Sequence, residues 1–240
     1  MDFSRLTKPR FLLIYPLVAA FFFVAHISET TLRLGIPLVI LGELIRWWAN
    51  GYVGHRKVNW TERSRNDPKI GLLVTAGPYA FVRNPLYCGS FLIGVGFCVV
   101  VGNVWFAVTV LALLLAVYRW KIKEEEETLR HEWAEEFARY ETVVPGWLPT
   151  LRPFRNGHGS WSWQGIVASQ EWKTAIWVTV LLITLYFWEE LIQEHERLFH
   201  RRAPLQLTLL ALLAVLILSD VVYEMIRRRA KRAASTGATP

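Results

Sequence analysis

The sequence predicts an all-α integral membrane protein with about six transmembrane helices. Of its 240 residues, 53% are hydrophobic, and the mean hydropathy is +0.26. The apolar residues are concentrated in blocks of about 15 to 20 residues, close to the length that crosses the hydrocarbon core of a bilayer. A soluble amphipathic fold would distribute these residues more evenly along the chain.

Six apolar segments account for the predicted membrane helices. They span residues 11–27, 36–48, 87–101, 104–120, 172–188 and 205–222. Gly102-Asn103 is a turn-forming pair, so the third and fourth segments are predicted to form a hairpin. Glycine and proline are absent from 104–144, which predicts that the fourth helix continues into the cytosol. Val144-Pro145-Gly146 then ends that helical extension.

These segments divide the chain into four predicted parts. Residues 1–155 form a core of four transmembrane helices with the cytoplasmic helix. An interfacial loop at 156–171 and a transmembrane hairpin at 172–226 follow, and 227–240 is a basic tail that we expect to be disordered.

The basic residues predict the orientation of the chain in the membrane. With the amino terminus inside, only Arg33, Arg197, Arg201 and Arg202 lie outside, and the other 23 of the 27 Lys and Arg residues lie inside. Because cytoplasmic loops are enriched in Lys and Arg, both termini are predicted to be cytoplasmic. We therefore expect a multi-pass protein of the bacterial inner membrane.

The net charge of +7 does not predict nucleic-acid binding, since the basic residues lie between apolar blocks and form no aromatic-basic stacking module. Cys88 and Cys98 are the only cysteines. They form no CxxC pair, and the histidines lack ligand spacing, so no metal site is predicted.

A polar block lies immediately before the third apolar segment. In it, Arg83-Asn84-Pro85 places a charge, an amide and a residue without an N–H at the start of a membrane helix. The first turn of a helix leaves backbone N–H groups unpaired, and its dipole favours an anion. The block is therefore suited to a carboxylate, although Pro85 would also occur there simply as a helix start.

An acidic run, 124–127, follows the fourth apolar segment. Its periodicity fits a solvated helix face with ion pairs such as Lys121–Glu125 four residues apart. Alternatively, one carboxylate accepts hydrogen bonds from a cationic ligand group, since four adjacent carboxylates repel one another. Together with the polar block, the run could bind a zwitterionic amino acid moiety.

The two blocks carry a resemblance to a known family. Their order is Gly77-Pro78-Tyr79, Arg83-Asn84-Pro85-Leu86-Tyr87, the hairpin, Glu125-Glu126, and then Leu129, Trp133, Phe137, Tyr140 and Val144-Pro145. In this order and spacing the chain resembles the isoprenylcysteine carboxyl methyltransferase family, within the wider group that includes phospholipid N-methyltransferases, as a bacterial-type member. The resemblance covers about residues 71–149.

The resemblance implies a site for S-adenosylmethionine built on membrane helices and their cytoplasmic extension, without a Rossmann domain. The implied cofactor contacts come from Gly71, Leu72, Leu73, Val74, Tyr79, Asn84, Pro85, Leu86, Tyr87, Glu125 and Glu126. Lys121 and Arg83 are the predicted substrate-binding residues. No catalytic residue is predicted, because the sulfonium of the cofactor itself supplies the electrophile.

Two positions depart from the family pattern. Asn84 replaces a histidine, which keeps a donor but loses a titratable ring. Lys121 replaces an arginine, which loses a bidentate fork for a carboxylate.

The predicted function is methyl transfer to a lipophilic acceptor, with a carboxylate or a thiol as in isoprenylcysteine methylation. The alternatives are an NADPH-dependent membrane reductase of the sterol-reductase type and a non-catalytic lipid-binding scaffold.

Overall fold

The computed structural model describes residues 24–53, 73–155, 157–190 and 203–236. Within these ranges the chain contains seven α-helices, one 3-10 turn and no strand, which confirms the all-helical fold class. The helices are α1 (Glu29–Val53), α2 (Pro85–Val101), α3 (Val104–Glu132), α4 (Ala134–Val143), α5 (Trp163–Ser169), α6 (Glu171–Trp188) and α7 (Ala203–Thr236), and the 3-10 turn is Gly77–Ala80. The chain forms two compact units, Met1–Glu171 and Trp172–Pro240.

Helices α1 and α2 approach each other closely at glycines. A Cβ added to Gly96 would lie 2.6 Å from Val39 Cγ2 and 2.9 Å from the carbonyl oxygen of Gly35. The two helices also approach closely at a second place, where a Cβ on Gly42 would lie 2.6 Å from the carbonyl oxygen of Gly89. Small residues permit this backbone approach, which is the usual basis of helix association in a membrane. The packing of α1 on α2 fixes the start of α2, where the polar block lies.

The α2–α3 hairpin has the predicted turn. Gly102 ends α2 with a φ of 68°, in the left-handed region that favours glycine. Its N–H bonds to the carbonyl oxygens of Cys98 and Val99. Asn103 then begins α3, and its side-chain oxygen accepts from the N–H of Phe106 at 3.0 Å. A left-handed residue followed by a capping residue reverses the chain without leaving these backbone groups unpaired.

Two described helices, Val104–Glu132 and Pro204–Arg227, are long and apolar enough to cross a membrane, and Pro85–Val101 is a shorter apolar helix. On α3 the apolar side chains face outward, with Trp105 82% and Trp120 63% exposed. The first predicted segment, 11–27, lies mostly outside the described residues.

The predicted cytoplasmic extension is interrupted. The fourth predicted helix does not continue to residue 144, because α3 ends at Glu132 and Trp133 has a non-helical φ of −128° and ψ of 52°. α4 begins directly afterwards and ends at Val143, as predicted from Val144-Pro145. The break allows Phe137 and Tyr140 to join Leu73 and Val144 in a buried core cluster. Tertiary packing therefore outweighs the uninterrupted helical pattern of the sequence.

Two further segments differ from the sequence-based expectation. The loop 156–171 contains a short helix, α5, whose first turn is capped by the Ser162 side chain. Helix α7 extends to Thr236, through part of the tail that was expected to be disordered. The alanines, arginines and lysine of that tail are strong helix formers, and adding residues to an existing helix costs little.

Candidate functional site

The two sequence blocks meet at one end of the α2–α3 hairpin. Asn84 is the N-cap residue of α2, and Glu125 and Glu126 lie on α3 beyond its apolar part. The segment that follows α4 returns to this point, where Gly146 contacts Asn84. The site therefore combines three pieces of chain, since Glu126 and Gly146 lie 42 and 62 residues after Asn84 in sequence.

Arg83 and Glu126 form a buried ion pair at the centre of this junction. The guanidinium donates from Nε to Glu126 Oε1 at 2.9 Å and from Nη2 to Oε2 at 3.1 Å. Its Nη1 donates to the carbonyl oxygens of Glu141 and Val144 at 3.2 and 2.8 Å. The side chains of Arg83 and Glu126 are only 12% and 9% exposed. Arg83 thus joins α3 to the end of α4, in the bidentate geometry that suits a guanidinium and a carboxylate.

Asn84 completes the same network. Its Nδ2 donates to Glu126 Oε1 at 2.9 Å and to the carbonyl oxygen of Gly146 at 3.1 Å. The amide nitrogen carries two N–H groups and can make both contacts, whereas each ring nitrogen of an imidazole carries at most one. Asn84 therefore holds Glu126 and Gly146 together from a single atom, and this supplies a structural reason for asparagine at the position.

Glu125 has different surroundings from Glu126. Its Oε1 accepts a hydrogen bond from the Tyr87 hydroxyl at 2.7 Å, and the residue is half-buried. Lys121 Nζ contacts Glu124 at 2.7 Å, and the expected Lys121–Glu125 pair stays a prediction. The other helical pairs of the acidic run are present, with Lys123–Glu127 at 3.9 Å and Arg130–Glu126 at 3.7 Å. The description as a solvated helix face thus applies to Glu124 and Glu127, while binding of a cationic ligand group by another carboxylate of the run stays a prediction.

Aromatic rings surround the Tyr87–Glu125 contact. The ring centroids of Tyr87 and Tyr118 are 5.3 Å apart, and those of Tyr118 and Trp147 are 6.5 Å apart. Phe91 lies edge-on to Trp147 at 6.2 Å. We call Tyr87, Phe91, Tyr118 and Trp147 the aromatic cluster. Phe91, Tyr118 and Trp147 were not predicted as site residues, although the four-residue spacing of Tyr87 and Phe91 on one helix face was a signal in the sequence.

The 3-10 turn is held against α4 through Tyr79. The Tyr140 hydroxyl donates to the carbonyl oxygen of Tyr79 at 2.6 Å, and both side chains are buried. Burial raises the pKa of both phenols, so both are neutral near pH 7. Gly77 begins the turn with a φ of 63°, and a Cβ there would lie 2.2 Å from the Tyr52 ring. This turn therefore requires glycine.

The other predicted site residues occupy varied positions. Leu73 is buried in the core cluster, Val74 is half-buried, and Gly71 and Leu72 lie outside the described residues. Pro85 is buried at the first turn of α2, and Leu86 accepts a hydrogen bond from Ser90 through its carbonyl oxygen. Lys121 lies 4.9 Å from the centre of the Trp120 ring. The ligand-binding roles of these residues stay predictions.

At the edge of the site, Glu141 links α4 to α3. Arg130 donates to both of its carboxylate oxygens, at 2.6 and 3.1 Å. These hydrogen bonds lower the pKa of Glu141. Glu141 is also 3.4 Å from Arg83 Nη2, so the two arginines share this carboxylate.

The apolar hairpin with a charged junction at its end is typical of a membrane protein with a polar site beside the bilayer. The model of the isoprenylcysteine carboxyl methyltransferase family matches residues 34–131. The human protein-S-isoprenylcysteine O-methyltransferase is 30% identical over 118 residues, 49% of this chain and 41% of the human protein. The rat enzyme of the same name is 31% identical over 123 residues, 51% of this chain and 43% of the rat protein.

The match extends further in a bacterial relative. The cobalt-zinc-cadmium resistance protein CzcN of Cupriavidus metallidurans is 32% identical over 167 residues, 67% of this chain and 70% of that protein. The chain belongs to the isoprenylcysteine carboxyl methyltransferase family. It spans about two fifths of the length of the human and rat relatives. No solved structure matches it.

The residues present fit the chemistry of S-adenosylmethionine, which carries a sulfonium, an ammonium and a carboxylate. Glu125 provides a carboxylate for a cationic group, and the aromatic cluster offers ring faces that attract cations. Glu126 is engaged by Arg83 and Asn84, whereas Glu125 accepts from Tyr87, so the two adjacent acids have different partners.

Proposed function

We propose that this protein is a membrane methyltransferase that transfers the methyl group of S-adenosylmethionine to a lipophilic acceptor. The observation that carries the proposal is the junction of the two blocks. Tyr87 bonds to Glu125, and Asn84 bonds to Glu126, at the end of an apolar hairpin. Family membership supports methyl transfer over the reductase and scaffold alternatives.

In this proposal the residues of the junction have two separate tasks. Arg83, predicted to bind the substrate, and Asn84 and Glu126, predicted to contact the cofactor, are assigned here as positioning residues. They tie the start of α2 to α3 and to Gly146. Glu125 and Tyr87 bind the cationic part of the cofactor beside the aromatic cluster. The proposal extends to the other predicted cofactor contacts, including Gly71 and Leu72.

The cofactor, when bound, supplies a methyl group on a sulfonium, which is already electrophilic. The protein then contributes proximity, alignment and exclusion of water. Glu125 and Tyr87 would hold the cofactor, whose sulfonium would supply the methyl group to an acceptor oxygen and would retain the electron pair of the carbon–sulfur bond. A carboxylate acceptor is ionised near pH 7 and requires no general base, whereas a thiol must first lose its proton.

We propose that the acceptor is lipophilic and carries a carboxylate, because the family is described as a carboxyl methyltransferase family and the human and rat relatives are named isoprenylcysteine O-methyltransferases. The outward-facing apolar side chains of α3 support access from the bilayer. We further propose that the chain crosses the inner membrane about six times, with both termini cytoplasmic. The site then lies on the cytosolic side, where the cofactor is available.

Titration calorimetry of the purified protein in detergent tests the cofactor assignment. S-adenosylhomocysteine, the demethylated cofactor, should bind in a one-to-one complex, and NADPH under the same conditions should not. Binding of NADPH in preference to S-adenosylhomocysteine would favour the reductase alternative and overturn the proposal. Binding of neither compound would favour the scaffold.

A further inference from the structure

The segment that follows α4, residues 146–155, forms no helix but has a defined path. Its backbone bonds to the residues that precede α2, with the Thr150 N–H donating to the Phe81 carbonyl oxygen at 2.8 Å. The Phe154 N–H donates to the Ala80 carbonyl oxygen at 2.9 Å. We call residues 146–155 the strap. Because these bonds hold the strap in place, the side chains on its outer face are exposed as part of a fixed conformation.

One end of the strap lies at the depth of the apolar hairpin. The centroid of the Trp147 ring is 6.2 Å from that of Phe91 and 6.5 Å from that of Tyr118. Cys88 Sγ donates to the Trp147 carbonyl oxygen at 3.0 Å. Phe91, Tyr118 and Cys88 all lie within the membrane segments predicted for α2 and α3. The chain therefore leaves the hairpin along α3, turns back through α4 and returns to the membrane boundary in the strap.

The strap directs two large apolar side chains away from the protein. Leu148, which follows Trp147, is 79% exposed, and Leu151 is 97% exposed. Near Leu151 the strap bonds to Phe81, whose ring centroid is 6.4 Å from that of the exposed Trp48, the last residue of the second predicted membrane segment. A single exposed leucine is ordinary on a surface in water. Two of them, at the level where the predicted membrane segments end, indicate contact with lipid.

Two arginines accompany these leucines. Arg152 and Arg155 are exposed, and neither has an ion pair within the described part of the chain. Arginine carries its charge at the end of a long side chain, which can extend from a membrane boundary to the phosphate groups. Anionic phospholipids attract such charges at the membrane surface. Exposed leucines with neighbouring arginines thus match the two layers of a leaflet, its acyl chains and its phosphates.

The backbone limits how deeply the strap can enter the membrane. A segment without helical hydrogen bonds has N–H and C=O groups that hydrocarbon would leave unpaired. The backbone must therefore stay among the headgroups, with only the leucine side chains reaching the acyl chains. The amphipathic ring of Trp147 suits the same depth.

We propose that the strap is a lipid-binding surface, in which Leu148 and Leu151 insert at the border of the acyl chains and Arg152 and Arg155 bind the phosphate groups of anionic phospholipids. Neither contact requires methyl transfer at the junction. Because the strap also carries Trp147, its attachment to lipid holds one wall of the aromatic cluster in place. The bilayer is then a structural partner of the junction.

Quenching of a fluorescent label by spin-labelled lipids tests the depth of the strap. Leu148→Cys or Leu151→Cys, in a background with Cys88 and Cys98 replaced by alanine, carries the label in phosphatidylcholine proteoliposomes. Both leucines are exposed, so the substitutions should leave the fold intact. A nitroxide near the headgroup end of the acyl chain should quench both labels more strongly than a nitroxide near the terminal methyl.

Two other positions provide the reference for these labels. Leu113→Cys, exposed in the middle of the apolar part of α3, should be quenched more strongly by the deeper nitroxide. Glu135→Cys, exposed in the first turn of α4, should be quenched only by iodide in the water phase. Strap labels that behave like the label at position 135 would place the leucines in water, and labels that resist both lipid and iodide would place them against protein. Strap labels that behave like the label at position 113 would place them deep in the bilayer. Each of these results would overturn the insertion of the leucines at the acyl border.

The arginine contacts are tested with the Leu151→Cys label and two spin-labelled lipids that differ only in the headgroup. Half-maximal quenching should require roughly 5-fold less phosphatidylglycerol than phosphatidylcholine, since a basic side chain near an anionic surface contributes about 1 kcal/mol. Arg152→Gln/Arg155→Gln should remove this difference and leave quenching by phosphatidylcholine unchanged. Arg33→Gln, which removes an exposed arginine of α1, is the control and should keep the difference. Equal quenching by the two lipids, or a difference that survives in the double variant, would overturn the binding of phosphates by these arginines.

Discussion

Glu125 and Glu126 are adjacent in sequence, yet the structure gives them different environments. Successive helical residues point about 100° apart, so only one of the two can face the junction with Arg83. Glu126 does so and is enclosed by Arg83 and Asn84, while Glu125 faces Tyr87 and the aromatic cluster. Glu126 should therefore contribute mainly to the stability of the fold, and Glu125 mainly to ligand binding.

For Glu125 we predict a loss of cofactor binding without a loss of fold. Glu125→Ala removes a charge-assisted hydrogen bond, which is worth about 1.5–3 kcal/mol, or roughly 10- to 150-fold in affinity. Calorimetry with S-adenosylhomocysteine measures the change. Glu127→Ala, in the same acidic run but with its side chain 60% exposed, is the matched control. Equal affinities of the two variants would assign the whole run to a solvated helix face.

For the ion pair of Arg83 and Glu126 we predict a loss of stability. Glu126→Gln leaves the buried guanidinium of Arg83 without its main counter-charge, which should lower the free energy of unfolding by about 3–5 kcal/mol. Thermal unfolding in detergent provides the measurement. Glu29→Gln, which breaks an exposed pair on α1, should leave the unfolding temperature nearly unchanged. A Glu126→Gln protein as stable as the wild type would show that the pair does not hold the junction.

At the scale of the elements, the packing of α1 on α2 is the contact on which the site depends. α2 carries Asn84 and Tyr87 at its start, and α1 carries Arg46 at the level of Gly89. Because the helices meet at glycines, side chains added at the crossing points would push them apart. Displacement of α2 would then move the polar block relative to Glu125.

Two glycines on α2 provide a matched test of this packing. A Cβ at Gly96 would meet the backbone of α1 as well as Val39, so Gly96→Ala should destabilise the protein by about 1–3 kcal/mol. A Cβ at Gly94 would meet only the flexible end of the Leu114 side chain, at 2.6 Å. Gly94→Ala should therefore be tolerated. Unfolding in detergent distinguishes the two, and a Gly94→Ala variant that is the less stable would contradict this account of the helix contact.

At the scale of the whole molecule, the charge distribution predicts the orientation. The tail with Arg227, Arg228 and Arg229 is basic and the segment after α3 contains further arginines, while the α2–α3 turn at Gly102-Asn103 contains no Lys or Arg. These features predict that the charged junction lies on the cytoplasmic side of the membrane. The exposed apolar surface of α3 is then in contact with lipid.

Labelling of single cysteines tests this orientation. In a background with Cys88 and Cys98 replaced by alanine, cysteines at positions 64 and 235 should react with a membrane-impermeant maleimide only after permeabilisation. A cysteine at position 28 should react in intact cells. Reaction of position 64 in intact cells would exclude the cytoplasmic placement of the loop before the polar block.

The sequence by itself determined the helical class, the Gly102-Asn103 turn and the two blocks that form the site. Hydrophobic block length, turn residues and motif spacing are local properties, so they are visible without coordinates. Only the tertiary structure decided which acid of the pair is enclosed, where the helix breaks at Trp133, and that Trp147 joins the aromatic cluster. It also brought together Arg46 and Glu171, which are 125 residues apart. Contacts of this kind depend on which helix faces pack together, because a buried charge takes whichever partner the packing places beside it.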